Sequence, residues 1–203
     1  MVLKYFRWTL TIVLILIPYS VIAAQLLDQI KSSMNTQPIA RGKFIQNRTL
    51  TGVSKKLTSE GYFLVDKNRG ILWVTEKPIY QILLVTDSGI SIRNKSNALM
   101  TLNSQNNSSV KYVNDFMRAI FSGDMSTLEK IFNHSGEISS KGWVLDLIPK
   151  NTSSTIFKKV SISGDSVINH IIFTSAEGDI TDIFFIDVIP TTSLTKDEIS
   201  QFQ

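Results

Sequence analysis

From Ile39 onward the chain runs in short stretches rich in apolar and β-branched residues. They read "IARGKFIQNRTL", "KKLTSEGYFLVD", "GILWVTE", "IYQILLVTD", "GISIRN" and "ALMTLN", separated by "LTGVS", "DKNRG", "EKP", "DSG" and "NKSN". Short runs between regular turns predict an antiparallel meander. The texture returns later in "GEISS", "KGWVLDLIPK", "IFKKVSIS", "VINHIIFTS" and "DITDIFFIDV", with turns at "SGD" and "AEGD". Helical spacing appears in three places. Leu26, Leu27, Ile30 and Met34 form one stripe within Gln25 to Met34. The polar "NSQNNSSV" reads as a loop, after which Val113, Phe116, Met117, Ile120 and Phe121 form a second stripe. Asp124 or Ser126 can cap a further short helix holding Leu128, Ile131 and Phe132. Thr195 and Glu198 have the spacing of a capping box for a last helix ending near Phe202.

The strands are oily on both faces. Neighbouring side chains on a strand point to opposite sides. Ile71, Trp73 and Thr75 therefore oppose Leu72 and Val74, and Ile79, Leu83 and Val85 oppose Ile82 and Leu84. In "DITDIFFIDV", Ile180, Phe184 and Ile186 stand against Ile183, Phe185 and Val188. Between Leu57 and Asp66, Leu57, Gly61, Phe63 and Val65 share one face, while Tyr62 and Leu64 interrupt the polar other. Two solutions satisfy such strands: burial on both sides, or an inner face lining an apolar pocket. The elements sum to one α+β domain with a mostly antiparallel sheet of roughly ten strands, a size at which sheets curl. Curled into an incomplete barrel, or half-barrel, the sheet can hold helices in its concave face.

Composition changes the picture at the N-terminus. Lys4 and Arg7 precede the apolar "WTLTIVLILI", and "VIAA" ends at Ala24. That order predicts a secretory signal peptide over residues 1–24, cut after Ala24 or Ala23, and a single mature domain over 25–203. Its removal lowers the net charge from +4 to +2, so the basic balance is partly the leader's. No cationic stripe with interleaved aromatics appears, which excludes nucleic acid as the expected partner. The chain has no cysteine. An exported, cysteine-free chain fits the bacterial periplasm, or secretion, without disulfides, thiol chemistry or lipid attachment. The two histidines, His134 and His170, have no metal-ligand spacing around them. No nucleophile elbow or phosphate-binding loop occurs. No metal, cofactor or catalytic group is expected.

Several segments together resemble the LolA family, periplasmic carriers that move lipoproteins between the membranes of Gram-negative bacteria. "GKFIQNRTLTGVSKKLTSEGYFLV" is similar to the family's opening, with Phe44 and Gln46 and then Ser59, Gly61, Tyr62 and Phe63. "GILWVTEKPIYQILLVTDSGISI" is similar to the segment with a strand Trp, here Trp73, then Pro78 and the turn Asp87 to Gly89. "FMRAIFSGDMSTLEKIFNHSGEISSKGWVLDLIPK" and the closing "GDITDIFFIDVIPTTSLTKDEISQF" resemble a LolA-related branch. The resemblance implies an incomplete barrel lidded by helices around a cavity for acyl chains. It implies a non-enzymatic carrier, binding a lipoprotein or lipid, with an inner-membrane exporter and an outer-membrane acceptor as partners, acting as a monomer. On this reading Phe44, Phe63, Trp73, Leu83, Phe116, Ile120, Trp143 and Phe184 are the candidate lining, with faces that a one-residue slip would invert. Prototypical carriers place an Arg-Pro pair before the Trp strand, and that Arg holds the lid. Here the matching positions are Lys67 and Asn68, with Arg69 beyond, so Lys67 and Arg69 are the lid-holding candidates. The departure implies the related branch, associated with aryl-polyene or similar outer-membrane lipids. The competing expectation is a module of an envelope lipid-export system that binds a protein and no lipid.

Overall fold

The computed structural model describes residues 19–202 apart from 36, 97–98 and 152–155, with side chains from residue 25 onward. The predicted leader lies outside the described residues, save for the backbone of 19–24. Eleven strands form one sheet, one more than the pattern predicts in round numbers. They are β1 (Ile39–Thr49), β2 (Leu57–Asp66), β3 (Gly70–Lys77), β4 (Gln81–Thr86), β5 (Gly89–Asn94), β6 (Leu99–Asn103), β7 (Phe132–Ser139), β8 (Gly142–Pro149), β9 (Phe157–Gly164), β10 (Ile168–Ser175) and β11 (Ile180–Thr191). The order is β6-β5-β4-β3-β2-β1-β11-β10-β9-β8-β7. Every pairing is antiparallel, and each half of the chain is a meander. The halves join where β1 pairs with β11. β6 and β7 are edges and do not pair with each other, so the barrel stays open.

Helices fill the concave side. α1 (Tyr19–Ser33) rests on β7 and on α3 (Met125–Ile131), while α2 (Ser108–Ser122) lies across β4, β5 and β6. Leu27 and Ile30 of α1 are buried, as their spacing predicts. α2 begins earlier than its apolar stripe. The Asn107 side chain accepts from the backbone N–H groups of Ser109 and Val110, so the end of the expected loop is the helix's first turn. Gly123 ends α2 in the left-handed conformation (φ 73°), where a side chain would be strained. Asp124 caps α3 through the backbone N–H of Thr127. The Thr127 hydroxyl donates to the same carboxylate and, as the leading cause, holds its pKa below the usual range. Phe132 closes that cap and opens β7, so it is not helical. The Thr195–Glu198 capping box forms at α4 (Lys196–Ser200).

The two-faced strands are explained by two cores. The main core lies on the concave side and includes Phe44, Phe63, Val65, Ile71, Val85, Phe116, Leu145 and Leu147. The smaller one lies on the convex side, where Ile39, Leu64, Leu72 and Val74 are buried against Tyr62, Ile82 and Leu84. Tyr62 and Leu64 are thus members of that core, not interruptions of a polar face. The C-terminal tail covers it with Leu194 and Phe202. Arg41 pins that tail: it pairs with Glu198 at 3.1 Å and donates to the Ser193 carbonyl at 3.0 Å. Burying each large apolar side chain is worth about 1.5–3 kcal/mol, which offsets part of the cost of ordering the tail. Ile79 departs from its expected face. It lies in the turn between β3 and β4 and is 76% exposed.

Candidate functional site

Between α2 and the inner sheet lies a cavity of about 350 Å³. Its roof is Val113, Met117 and Phe121, spaced four apart along one line of α2. Its floor comes from neighbouring strands: Trp73, Leu83, Val85, Ile171, Ile183 and Phe185, with Ile90, Phe157 and Phe173 at the flanks. Aromatic rings pack within and behind the floor. Phe44 stacks beneath Trp73 at 3.9 Å between ring centres, and Phe185 meets Trp73 edge-on at 6.0 Å. Phe185 also meets Phe121 of the roof at 5.8 Å. The remaining lining is polar and uncharged: Gln46, Thr75, Gln81 and Thr181.

Of the eight residues that the sequence nominates, Trp73 and Leu83 line this cavity. Phe44 lies directly behind Trp73 and is 1% exposed. Phe63 lines a second, smaller space of about 60 Å³, shared with Met34, Phe121 and Val188. Phe116 and Ile120 sit on the stripe of α2 adjacent to the roof and are buried in the core. Phe116 packs there on Phe132, Phe157 and Phe173. Trp143 is also core, its indole N–H donating to the Asp165 carbonyl at 2.7 Å. Phe184 points the other way. It is 40% exposed on the convex face, stacked on His170 at 4.4 Å, and His170 also contacts Asp182. Phe185, its neighbour, takes the inner position. The structure supplies roof and floor residues that were not nominated: Val113, Met117, Phe121, Ile183 and Phe185.

Arg69 does not reach α2. Its guanidinium is held at 2.6 Å by Asp66 within the β2–β3 turn. Lys67 lies beside Phe121 in the wall of the smaller spaces. One ion pair that ties α2 to the sheet is Arg118 with Asp87, in the turn between β4 and β5. Nothing local in the sequence links those two positions. α2 also carries three buried polar atoms without a hydrogen-bond partner among the described residues: Arg118 Nη1, held only by that ion pair, the Tyr112 hydroxyl and the Asn114 Oδ1. Burial pushes the Tyr112 phenol up to about 12. No cluster of His, Cys, Asp or Glu able to hold a metal occurs among the described residues. A groove of about 620 Å³ on the convex face has charged walls, but Arg41 pairs there with Glu198 and Lys43 with Asp187. The cavity under α2 is the better candidate.

The fold has solved relatives. A LolA superfamily protein from Nitrosomonas europaea superposes with a TM-score of 0.50 at 14% identity, over 87% of this chain and 96% of that one. A DUF1329 family protein from Desulfovibrio piger gives 0.50 at 11% identity, over 90% and 98%. MucB gives 0.50 at 14% identity, over 92% of this chain and 64% of its own. No curated protein matches the sequence. At such identities the likeness is one of fold. The family model described as outer membrane lipoprotein carrier protein LolA, however, matches residues 36–200. With the open eleven-stranded barrel and its helical lid, that match over about four fifths of the chain makes this protein a member of the LolA family.

Proposed function

We propose that the protein is an exported periplasmic carrier that holds the acyl part of a lipid or lipoprotein under α2 and conveys it towards the outer membrane. The observation that carries the reading is the largely apolar cavity of about 350 Å³, roofed by one helix and floored in part by packed aromatic rings. On this reading residues 1–24 are a cleaved leader and residues 25–203 one carrier domain. An inner-membrane exporter would load it and an outer-membrane acceptor would unload it. The work is transfer and not catalysis.

A carrier must release what it holds, so non-directional contact suits it better than charge pairing. At about 25 cal/mol per Å², burying roughly 300 Å² of acyl chain gains about 7 kcal/mol, enough to extract a chain without fixing it permanently. Loading requires α2 to lift. The orphaned Tyr112 hydroxyl and Asn114 Oδ1 ease that step, since each regains water when the lid opens. A buried unpaired group of this kind costs about 1–3 kcal/mol in the closed state. Asn114→Leu, close in volume and without the amide, is therefore expected to stabilise the protein by about 1 kcal/mol. It should also slow the exchange of a bound fluorescent fatty acid. Chemical denaturation and stopped-flow exchange check the two halves.

The direct test is native mass spectrometry of the protein taken from a bacterial periplasm. Bound acyl mass at one-to-one stoichiometry is the expected result, and a clean apo protein would overturn the proposal. A second reading, a protein-binding module, draws on the convex face, where Phe184, Ile186 and Ile189 are exposed. Under that reading the same spectrum shows no lipid.

A further inference from the structure

The cavity's size and the chemistry of its mouth identify the class of cargo, an inference that rests on the acyl-carrier reading above. An apolar cavity of about 150 Å³ takes one benzene. At that density the about 350 Å³ under α2 takes roughly fourteen carbons, which is one acyl chain. Three chains, as on a triacylated lipoprotein, need about three times that space.

The mouth adds a second constraint. Gln81 on β4 stands directly opposite Thr75 on β3. Beyond β2 the residue in register with that pair is Phe44, and Gln46 on β1 and Thr181 on β11 line the same cavity further along their strands. These four polar side chains have no hydrogen-bond partner among the described residues, and all four are neutral. Gln81 is exposed, the other three are half-buried, and all four stand towards the same end of their antiparallel strands, so this polar group sits where the cavity meets water. Among the described residues no charged side chain lines the cavity. Further out on the same strands, Arg48 is paired with Asp179 at 3.1 Å and Lys77 with Glu60 at 2.7 Å. An anionic head would meet no uncommitted cation from these pairs, whereas amide and hydroxyl groups can both donate to and accept from an ester or hydroxyl head.

We infer that the cargo is a single-chain amphiphile with a neutral, hydrogen-bonding head, its carbonyl and hydroxyl groups seated against Gln46, Thr75 and Gln81.

The experiment is a tryptophan-fluorescence titration of the protein at pH 8, below micelle-forming concentrations. The probes are saturated monoacylglycerols of increasing length, the sodium salt of tetradecanoic acid, tetradecanoyl lysophosphatidylglycerol and a tripalmitoylated lipopeptide. Affinity for monoacylglycerols is expected to rise about three- to fourfold per methylene, then to level near fourteen carbons. The tetradecanoyl monoacylglycerol should bind about tenfold more tightly than the fatty-acid anion or the lysophospholipid, and more tightly than the lipopeptide. In the double variant Gln46→Leu/Thr75→Val the preference over the fatty-acid anion should fall towards one, with the chain-length profile unchanged. Tightest binding of the lipopeptide, or equal binding of neutral and anionic heads by the unaltered protein, overturns the inference and leaves the carrier reading standing. Binding of none of the probes overturns both.

Discussion

A protein carrying Leu83→Glu is expected to fold and to remain empty of acyl cargo. Leu83 faces the cavity opposite Trp73, one row deeper than the exposed Gln81. It is half-buried, packed on one side against the core and open on the other to the cavity. A carboxylate there displaces no packed neighbour and keeps access to water through the mouth. Cargo changes the balance: a chain in the cavity would strip the carboxylate of that water, at a cost of several kcal/mol. The apolar contact of the leucine is lost as well, about 1.5–3 kcal/mol. Together these predict a loss of at least about a hundredfold in affinity, at 1.4 kcal/mol per tenfold. Desolvation raises the carboxyl pKa, so loading should recover in part as the pH falls towards 5 and the group is neutralised. Titration with a monoacylglycerol measures the loss, and the thermal unfolding transition shows whether the fold survives. Unfolding of the variant would mean that Leu83 is packed core.

How much of this was legible in the sequence follows from the range of the forces involved. Alternation is local, so the grouping of Ile71 with Trp73 against Leu72 with Val74, and of Leu83 with Val85 against Ile82 with Leu84, matches the two faces found. What covers each face is not local. The convex core is closed by Leu194 and Phe202, which come from the far end of the chain. The adjacent phenylalanines of β11 show how narrow the margin is. Nothing in "IFFID" says whether Phe184 or Phe185 turns inward, and pairing with β1 and β10 decides for Phe185. A register shift opposite Arg41 and Lys43, with Asp187 at φ 53°, then brings Val188 back to the inner side. On α2 the apolar stripe is wider than the roof. Phe116 and Ile120 were as plausible as Met117 and Phe121 until the rotation of the helix was known. The tie between Arg118 and Asp87 rests on tertiary placement alone.

Gly61→Ala is expected to be among the most damaging single methyl additions in the sheet around the site. The segment Ser59 to Phe63 carries this glycine between a polar and an aromatic stretch, and the geometry gives the reason. The β2–β3 register shifts between Glu60 and Gly61, so that Glu60 pairs with Lys77 and Gly61 with Thr75. The shift brings the β3 backbone against Gly61. A Cβ there would lie 1.9 Å from the Val74 carbonyl oxygen and 3.0 Å from the Thr75 Cα. Those are backbone atoms, and Val74 is itself fully buried in the convex core, so β3 cannot retreat without opening that core. Overpacking that has to move backbone costs about 1–3 kcal/mol or more, and the loss of local pairing adds to it. A total of about 4 kcal/mol is a large part of a typical stability of 5–15 kcal/mol. The denaturation midpoint should fall accordingly, and a shift worth under about 1 kcal/mol would show that the strands are not so close. Any protein that does fold should load poorly, because Gly61 pairs with Thr75: the strand movement that admits the methyl group also displaces a hydroxyl of the mouth.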